Sequence, residues 1–263
     1  MDLPIKIPLR LKKMVDTTTQ LMTVSSIPGL YYYPNFLTKS EGEFIWNCLE
    51  SDTHWVGVTS NPTSRRVIQY GYKYGYTGGA LEPTDKIPEI YSSMMDRFQE
   101  VIDLINSHTR NLPRIKMTLG ETTLTFFNKT TCDEWKAQTP DHEKWEQKYF
   151  KGLGCSDEMK PQFDQLIINK YLPGQGIAPH IDKPSQFGPY IACVTLGSGV
   201  EIQFSKTGEE TIPIYVEPNS LYIMSGDARY TWKHGIASRK SDLVSDQKIA
   251  RGTRISLTFR TAL

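Results

Sequence analysis

The stretch Tyr190-Ile-Ala-Cys-Val-Thr-Leu-Gly-Ser-Gly-Val-Glu-Ile-Gln-Phe204 carries two short apolar runs separated by a Gly-Ser-Gly turn signal. Runs of this kind, rich in β-branched and aromatic residues and bounded by turn-forming residues, are typical of β-strands. The same pattern recurs through the second half of the chain, where Gly, Pro and Asn separate the runs. The predicted strands are Gln165–Tyr171, Ile177–Ile181, Tyr190–Leu196, Val200–Phe204, Ile212–Val216, Ser220–Met224, Tyr230–Ile236 and Arg254–Thr261.

Eight short strands at this spacing predict a jelly roll or a similar antiparallel sandwich. Helices are predicted ahead of it. In the segment 38–50, Thr38 and Glu41 form a capping-box pattern beside an apolar stripe, and the segment 87–105 carries a second stripe at helical spacing. We therefore expect a mainly β, α+β fold with helices in its N-terminal half.

The composition is that of an ordinary globular protein: the chain has 263 residues, of which 38% are hydrophobic and 22% charged. A net charge of +1 excludes nucleic-acid binding through overall charge, so any such binding must come from local patches. We find no signal peptide and no apolar span of membrane-helix length, and the sequence does not indicate an oligomeric state. The cysteines are scattered, so we expect reduced thiols in an intracellular protein, cytoplasmic by default with a nuclear location left open. They are Cys48, Cys132, Cys155 and Cys193.

Candidate metal ligands begin with His180-Ile-Asp182. On an extended strand, residues two apart project to the same face, so both side chains can share one metal. His234, in a later strand-like run, is the candidate third ligand. Two imidazoles and one carboxylate leave open positions on an iron for a cosubstrate and oxygen. A bare His-x-Asp is common, however, and His234 alone also fits a hydrogen-bonded histidine.

The segment Arg254-Ile-Ser-Leu-Thr-Phe-Arg260 alternates polar and apolar residues. One interpretation is an amphipathic strand with its polar face in water. The other turns that face towards a wet internal cavity, where two guanidinium groups suit a molecule that bears carboxylates. The pattern alone does not choose between them.

A strand is also predicted over Arg65-Arg-Val-Ile-Gln-Tyr-Gly-Tyr-Lys-Tyr-Gly-Tyr76. Its alternation places one cation and several aromatic rings on one face, either as stacking surfaces for bases or as an aromatic face packed on the core. The segment 239–251 has four cations and two carboxylates, which fits a phosphate contact or a solvated loop. The residues predicted to share the aromatic face are Arg66, Ile68, Tyr70, Tyr72, Tyr74 and Tyr76.

Three strings resemble the AlkB family of Fe(II)- and 2-oxoglutarate-dependent dioxygenases. They are Asn169-Lys-Tyr-Leu-Pro-Gly-Gln-Gly-Ile-Ala-Pro-His-Ile-Asp182, Ser225-Gly-Asp-Ala-Arg-Tyr-Thr-Trp-Lys-His-Gly-Ile236 and Arg254–Arg260. The similarity covers residues 163–262 well and the region around 60–76 more loosely. It implies a double-stranded β-helix (jelly roll) over about 163–263 and a nucleotide-recognition lid over about 55–80. We expect one dioxygenase domain over 26–263 after a loose segment 1–25.

The resemblance also implies the cofactors, the site and the reaction. Fe(II), 2-oxoglutarate and O₂ would oxidise an alkylated or modified base in RNA, tRNA or DNA, and the base would be unpaired or flipped out. An N-methyl group would be lost as formaldehyde, whereas a hydroxylated side-chain methylene would persist. The implied iron ligands are His180, Asp182 and His234; the cosubstrate residues are Asn169, Tyr171, Arg254, Ser256 and Arg260; the substrate residues are Arg66, Tyr70 and Tyr72, with Arg65 beside them.

This sequence also departs from the family pattern. Ser256 stands where many relatives have Asn, and Lys183 follows the His-x-Asp where repair members often carry acidic residues. The latter segment is more similar to the branch that hydroxylates a wobble uridine in tRNA. An aromatic insertion over about 118–163, whose role the sequence does not reveal, has no counterpart. Alternatives are a protein or small-molecule hydroxylase on the same fold and a binding module without turnover.

Overall fold

The fold is built on two antiparallel sheets. The computed structural model describes residues 11–13, 21–61, 63–75, 79–109, 115–119, 122–126 and 163–263. The helices are α1 (Lys39–Glu50), α2 (Ser92–Thr109) and α3 (Gly226–Tyr230). The strands are β1 (Leu11–Lys13), β2 (Met22–Val24), β3 (Leu30–Tyr33), β4 (Val56–Gly57), β5 (Arg66–Tyr70), β6 (Tyr72–Lys73), β7 (Glu82–Pro83), β8 (Ile115–Leu119), β9 (Thr122–Phe126), β10 (Gln165–Tyr171), β11 (Ile177–His180), β12 (Phe187–Gly197), β13 (Val200–Ser205), β14 (Ile212–Val216), β15 (Leu221–Met224), β16 (Lys233–Ile236), β17 (Ser241–Val244), β18 (Gln247–Ala250) and β19 (Arg254–Ala262).

Within the described ranges, the larger sheet has nine strands in the order β1-β2-β3-β15-β12-β19-β10-β5-β4, and the smaller has four in the order β11-β16-β13-β14. The long central strand β19 pairs antiparallel with β10 on one side and with β12 on the other. In the small sheet, β16 pairs antiparallel with both β11 and β13. Such a pair of facing antiparallel sheets is the predicted jelly roll.

Each face of the large sheet contributes to a different apolar core. On one face, Phe259 and Leu257 of β19 pack against α2 through rings such as Phe98, which is 5.0 Å from Phe259 between centroids. On the other, apolar residues of the large sheet pack against Ile202 and Phe204 of the small sheet. The polar residues of β19 therefore face the space between the sheets.

The predicted helices are present. Thr38 caps α1 and forms the expected capping box with Glu41, and α2 follows a short 3-10 turn at Glu89–Tyr91. In the described part of the chain, no helix is both long and apolar enough to cross a membrane. The predicted strands are also present, with small shifts at their ends, but α3 occupies a segment that the sequence pattern did not assign to a helix.

Two regions of the N-terminal half differ from expectation. Part of the segment 1–25 is not loose, because β1 and β2 pair and extend the large sheet. The strand predicted over 65–76 breaks at Gly71, which has a positive φ of +75°, and a Cβ there would lie 1.7 Å from the carbonyl oxygen of Asp164. Tyr76 and most of the predicted insertion, including Phe127, Trp135, Trp145, Tyr149 and Phe150, lie outside the described residues, as do Cys132 and Cys155.

Candidate active site

The candidate metal ligands meet between the two sheets. Antiparallel pairing of β11 with β16 places His180 directly opposite His234, with ring centroids 4.4 Å apart. Asp182 lies just beyond the end of β11, and its Oδ2 is 3.5 Å from Nε2 of His234. One ligand atom from each of the three residues lies within 4.8 Å of the others, so together they could hold a metal ion.

Two of the three candidate ligands are in the protonation state that a metal ligand needs. The Nδ1–H of His180, the third, donates to the carbonyl of Ala178 at 2.9 Å, so Nε2 is the ring nitrogen that remains for a metal. Burial lowers the pKa of His234 to about 4, so its imidazole is neutral at pH 7. Burial opposes ionisation of Asp182, but the positive charges nearby, Arg260 foremost, outweigh it and hold the pKa of that carboxyl well below its usual range.

The two predicted arginines face the same space from the large sheet. Arg254 and Arg260 are each only 4% exposed, which confirms the interpretation of β19 as lining an internal cavity. Arg254 Nη2 donates to Thr195 Oγ1 at 3.0 Å. Arg260 stacks 3.8 Å over the ring of Phe187 and donates through Nη1 to Oδ1 of Asp182 at 2.5 Å. Arg260, one of the predicted cosubstrate residues, thus contacts the candidate metal ligand Asp182 directly.

Each of the two guanidinium groups has a donor without a hydrogen-bond partner among the residues that the structure describes. Nε of Arg254 and Nη2 of Arg260 are buried without a hydrogen-bond partner. Buried donors without partners are costly and call for an acceptor that is not part of the chain. A ligand with carboxylates next to the three metal ligands supplies such acceptors. The residues therefore fit both an iron ion and 2-oxoglutarate.

The other predicted cosubstrate residues lie beside these arginines. Asn169 and Ser256 are paired across β10 and β19, and both are buried. Asn169 Oδ1 accepts from Arg65 Nε at 3.0 Å, which leaves the Asn169 amide N–H groups as donors. The ring of Tyr171 lies 5.5 Å from the Arg254 guanidinium carbon. All of the predicted cosubstrate residues thus line one space.

That space is a cavity of about 320 Å³ between the sheets. Its lining combines the candidate metal ligands, the predicted cosubstrate residues and an apolar wall, as is usual for ligand sites. The lining residues are Arg65, Tyr74, Ile167, Asn169, Tyr171, Ile177, Ala178, His180, Ile181, Asp182, Lys183, Phe187, Ile202, Tyr222, Met224, His234, Gly235, Ile236, Arg254, Ser256, Thr258 and Arg260.

None of the predicted substrate residues lines this cavity, so the structure gives no support for placing them there. Tyr70 packs in the core beneath the helices, Arg66 is exposed and donates to the carbonyl of Trp55, and Tyr72 lies outside the lining. Ile68 and Tyr70, on the face that Arg66 was predicted to share, point away from the cavity into the core, and Arg65 rather than Arg66 lines the cavity. The break at Gly71 then brings Tyr74 to the cavity wall.

One part of the cavity wall combines an aromatic ring with a cation. Nζ of Lys183 lies 5.3 Å from the centroid of the Tyr74 ring, and Tyr74 lies 6.0 Å from the Phe187 ring. The Gln186 side chain donates to the carbonyl of Gly79 at 2.7 Å. These contacts join the segment after the candidate metal ligand Asp182 to the predicted lid.

Two of the cations predicted for a phosphate contact in 239–251 have internal partners. Arg251 donates to both carboxylate oxygens of Asp242, at 2.6 and 2.7 Å, and Arg239 pairs with both Asp242 and Glu201. The other two, Lys240 and Lys248, are exposed. The two arginines therefore hold the β17–β18 hairpin in place.

Comparison with known proteins agrees with the geometry. A family model described as the 2OG-Fe(II) oxygenase superfamily matches residues 29–260. An uncharacterized protein, L905, of Acanthamoeba polyphaga mimivirus is 46% identical over 108 residues, which are 40% of this chain and 50% of that protein. The tRNA (carboxymethyluridine(34)-5-O)-methyltransferase ALKBH8 of Macaca fascicularis is 27% identical over 255 residues, covering 89% of this chain and 30% of that protein.

The chain thus spans half or less of the length of these two relatives. Among solved structures, that of OsALKBH1 is similar with a TM-score of 0.55 at 16% identity, covering 92% of this chain and 99% of that one. This likeness shows the fold, and the match of the family model spans both the sheets and the cavity. The chain therefore belongs to the 2OG-Fe(II) oxygenase superfamily, and within it the chain is similar to proteins of the AlkB family.

Proposed function

We propose that this protein oxidises modified or alkylated nucleobases in nucleic acid, with Fe(II), 2-oxoglutarate and O₂. The observation that carries the proposal is a single cavity that holds His180, Asp182 and His234 beside two buried arginines with unpartnered donors. When bound together, the iron, 2-oxoglutarate and O₂ supply an oxygen atom to a C–H bond and yield succinate and CO₂.

The chain's own residues have separate tasks in this proposal. His180, Asp182 and His234 hold the iron. Arg254 and Arg260 bind the carboxylates of 2-oxoglutarate through their unpartnered donors, and the sheets around them exclude bulk water. The remaining cosubstrate contacts come from Asn169, Tyr171 and Ser256.

On the substrate side, we assign Tyr74 as the stacking surface and Lys183 as the cation nearest to it. Arg65, which reaches the same cavity from β5, is a second cation there. Bases of any sequence can stack on an aromatic ring, and a base must leave its duplex or be unpaired to enter such a cavity. Because the relative in Macaca fascicularis is named for a tRNA uridine, we propose RNA, and tRNA in particular, as the substrate.

The iron-ligand assignment predicts that His180→Ala abolishes succinate formation from 2-oxoglutarate. The measurement is succinate release under Fe(II) and O₂, with a substitution of an exposed residue outside the site, Lys248→Ala, as the matched control. Undiminished turnover by the His180 variant would contradict the ligand set.

The substrate assignment predicts a contrast between two tyrosines. Loss of the Tyr74 ring in Tyr74→Ala should weaken nucleic-acid binding by about 1–3 kcal/mol, the usual contribution of one stacked base. Tyr70→Phe should leave binding unchanged, since Tyr70 lies in the core and its hydroxyl donates to Asp52 at 3.4 Å. Mass spectrometry of nucleosides after incubation with total tRNA and with methylated oligonucleotides identifies the base. No mass change in either pool would refute the nucleic-acid proposal.

A further inference from the structure

Arg229 on α3 is an arginine with an unusual set of partners. It is only 1% exposed, and within the described residues it forms no ion pair with a carboxylate. Its guanidinium donates instead to backbone carbonyls of the segment 182–188. Nη1 donates to Asp182 at 2.6 Å, Nε to Gly188 at 3.1 Å, and Nη2 to Phe187 at 3.0 Å and Lys183 at 3.5 Å.

Such an arrangement needs a reason, because a buried charge without a direct ion pair is costly. The segment 182–188 is where the chain leaves the small sheet at the end of β11 and joins the large sheet at β12. The β12–β19 register shifts between Phe187 and Ile191, so regular ladder bonds are interrupted there. Carbonyls buried in irregular backbone must find donors elsewhere. One guanidinium donates to four carbonyls here, of which only that of Lys183 also accepts from backbone N–H groups in the same segment.

Arg229 is itself fixed to the large sheet. The backbone N–H of Ala228 donates to the carbonyl of Pro28 at 2.9 Å, and the N–H of Ser225 donates to the carbonyl of Gly29 at 2.8 Å. These bonds join α3 to the turn that leads into β3. The backbone that carries Arg229 is therefore anchored to the large sheet by contacts that do not involve the segment 182–188.

Asp182 is consequently held at two points by two different arginines. Arg229 holds its backbone carbonyl, and Arg260 holds one oxygen of its carboxylate. We propose that Arg229 is a positioning residue: it fixes the backbone of Asp182 and thereby sets the affinity of the site for its metal ion. This rests on the proposed role of Asp182 as an iron ligand. Through its hydrogen bonds to the carbonyls of Lys183 and Phe187, Arg229 also fixes the segment 182–188 where it lines the cavity.

The test measures metal affinity in the full-length chain without turnover. Co²⁺ is titrated in the absence of 2-oxoglutarate, and binding is followed by its visible absorption. Arg229→Met removes all the donors, and Arg229→Lys keeps the charge with fewer of them. The matched control is Arg251→Met, which removes another buried arginine that donates to Asp242 and to the Ala237 carbonyl, away from the metal ligands. Thermal unfolding is recorded for every variant.

Loss of groups that orient a metal ligand typically costs about 10- to 100-fold in metal affinity. We expect that loss for Arg229→Met, a smaller one for Arg229→Lys, and none for Arg251→Met even if it lowers the melting temperature as much. A Co²⁺ affinity within twofold of the wild type in a folded Arg229 variant would overturn the positioning role of Arg229 and leave the iron-ligand assignment intact. Absence of Co²⁺ binding by the wild type would overturn the iron-ligand assignment as well.

Should Arg229→Met not fold, Arg229→Lys decides the matter by a second measurement. Hydrogen exchange of the backbone amides of 183–188 should accelerate in Arg229→Lys and stay unchanged in Arg251→Lys. Unchanged exchange together with unchanged Co²⁺ affinity in Arg229→Lys would overturn the proposal.

Discussion

At the scale of single residues, Arg260 and Arg254 have different neighbours although β19 presents them on one face. Arg260 contacts both Gln165 and the candidate metal ligand Asp182, whereas Arg254 contacts Thr195 and lies over Tyr171. In the proposed site, a carboxylate of 2-oxoglutarate and the candidate iron ligand Asp182 would therefore share one guanidinium at Arg260 but not at Arg254.

This difference predicts distinct phenotypes for Arg254→Met and Arg260→Met. A hydrogen bond to a charged group contributes about 1.5–3 kcal/mol, so each change should weaken 2-oxoglutarate binding roughly 10- to 100-fold. Of the two variants, only Arg260→Met should also alter Co²⁺ affinity, because Arg260 contacts the Asp182 carboxylate and Arg254 does not. Parallel titrations of Co²⁺ and of 2-oxoglutarate separate the two effects. Equal Co²⁺ affinities in both variants would contradict the shared role of Arg260.

The sequence predicted the residues of the metal and cosubstrate set that the cavity brings together, because their type and spacing restrict their chemistry. It did not predict which face of β5 points inward. An alternating strand has two faces, and Arg65 and Arg66 present the same side chain to either one. Tyr70 fits a core as well as a binding surface, so only the packing against the helices decides its place.

At the scale of elements, α1 and α3 show why some helices can be predicted from the sequence and others cannot. Two patterns in the sequence predict α1: the capping box of Thr38 and Glu41, and an apolar stripe that extends over several turns. Helix α3 has only five residues, and its N-cap Ser225 makes no side-chain cap bond. The pattern therefore gave no sign of α3, and the contacts of Arg229 could not be foreseen.

The β17–β18 hairpin depends on one buried carboxylate. Asp242 accepts from both Arg239 and Arg251 and from the backbone N–H of Glu201, which attaches the hairpin to β13. Burial raises the pKa of Asp242, but the hydrogen bonds from Arg251, Glu201 and Arg239 outweigh it and lower that pKa below its usual value. The hairpin is thus tied to the small sheet by an ionised group.

We predict that Asp242→Asn lowers the free energy of unfolding by about 3–5 kcal/mol at pH 7, since it leaves buried guanidinium charge uncompensated. A depressed folded-state pKa stabilises the protein fully above the unfolded-state value of about 3.9, and this stabilisation disappears as pH falls through the folded-state pKa. Urea unfolding of wild type and variant between pH 7 and pH 2.5 should therefore converge at the acid end. A difference that does not change with pH would contradict the role of the charge.

At the scale of the whole molecule, the site joins two sheets that otherwise meet through apolar packing. His180 and His234 belong to strands of the small sheet, whereas Arg254 and Arg260 belong to the large one. A metal ion together with 2-oxoglutarate would connect the two layers. Ligands that bind only the folded state stabilise it in proportion to the logarithm of their concentration.

Co²⁺ and 2-oxoglutarate at about 100 times their Kd values should therefore stabilise the fold by roughly 2.7 kcal/mol each, which raises Tm by about 5–10 °C for each ligand. Differential scanning fluorimetry with and without a chelator measures this shift. The variant His234→Ala should lose the response to Co²⁺. A wild-type Tm that ignores both ligands would contradict a site formed between the sheets.

Gly71 has a consequence for anyone who attempts to redesign the lid. A side chain at this position would collide with the Asp164 backbone, and its positive φ already disfavours other residues. A saturation library over residues 70–75, scored by cell growth, would therefore report position 71 as intolerant although it touches no ligand. That intolerance would reflect a folding constraint and not a contact with the substrate. A library that keeps glycine at position 71 can instead vary Tyr74 and its neighbours.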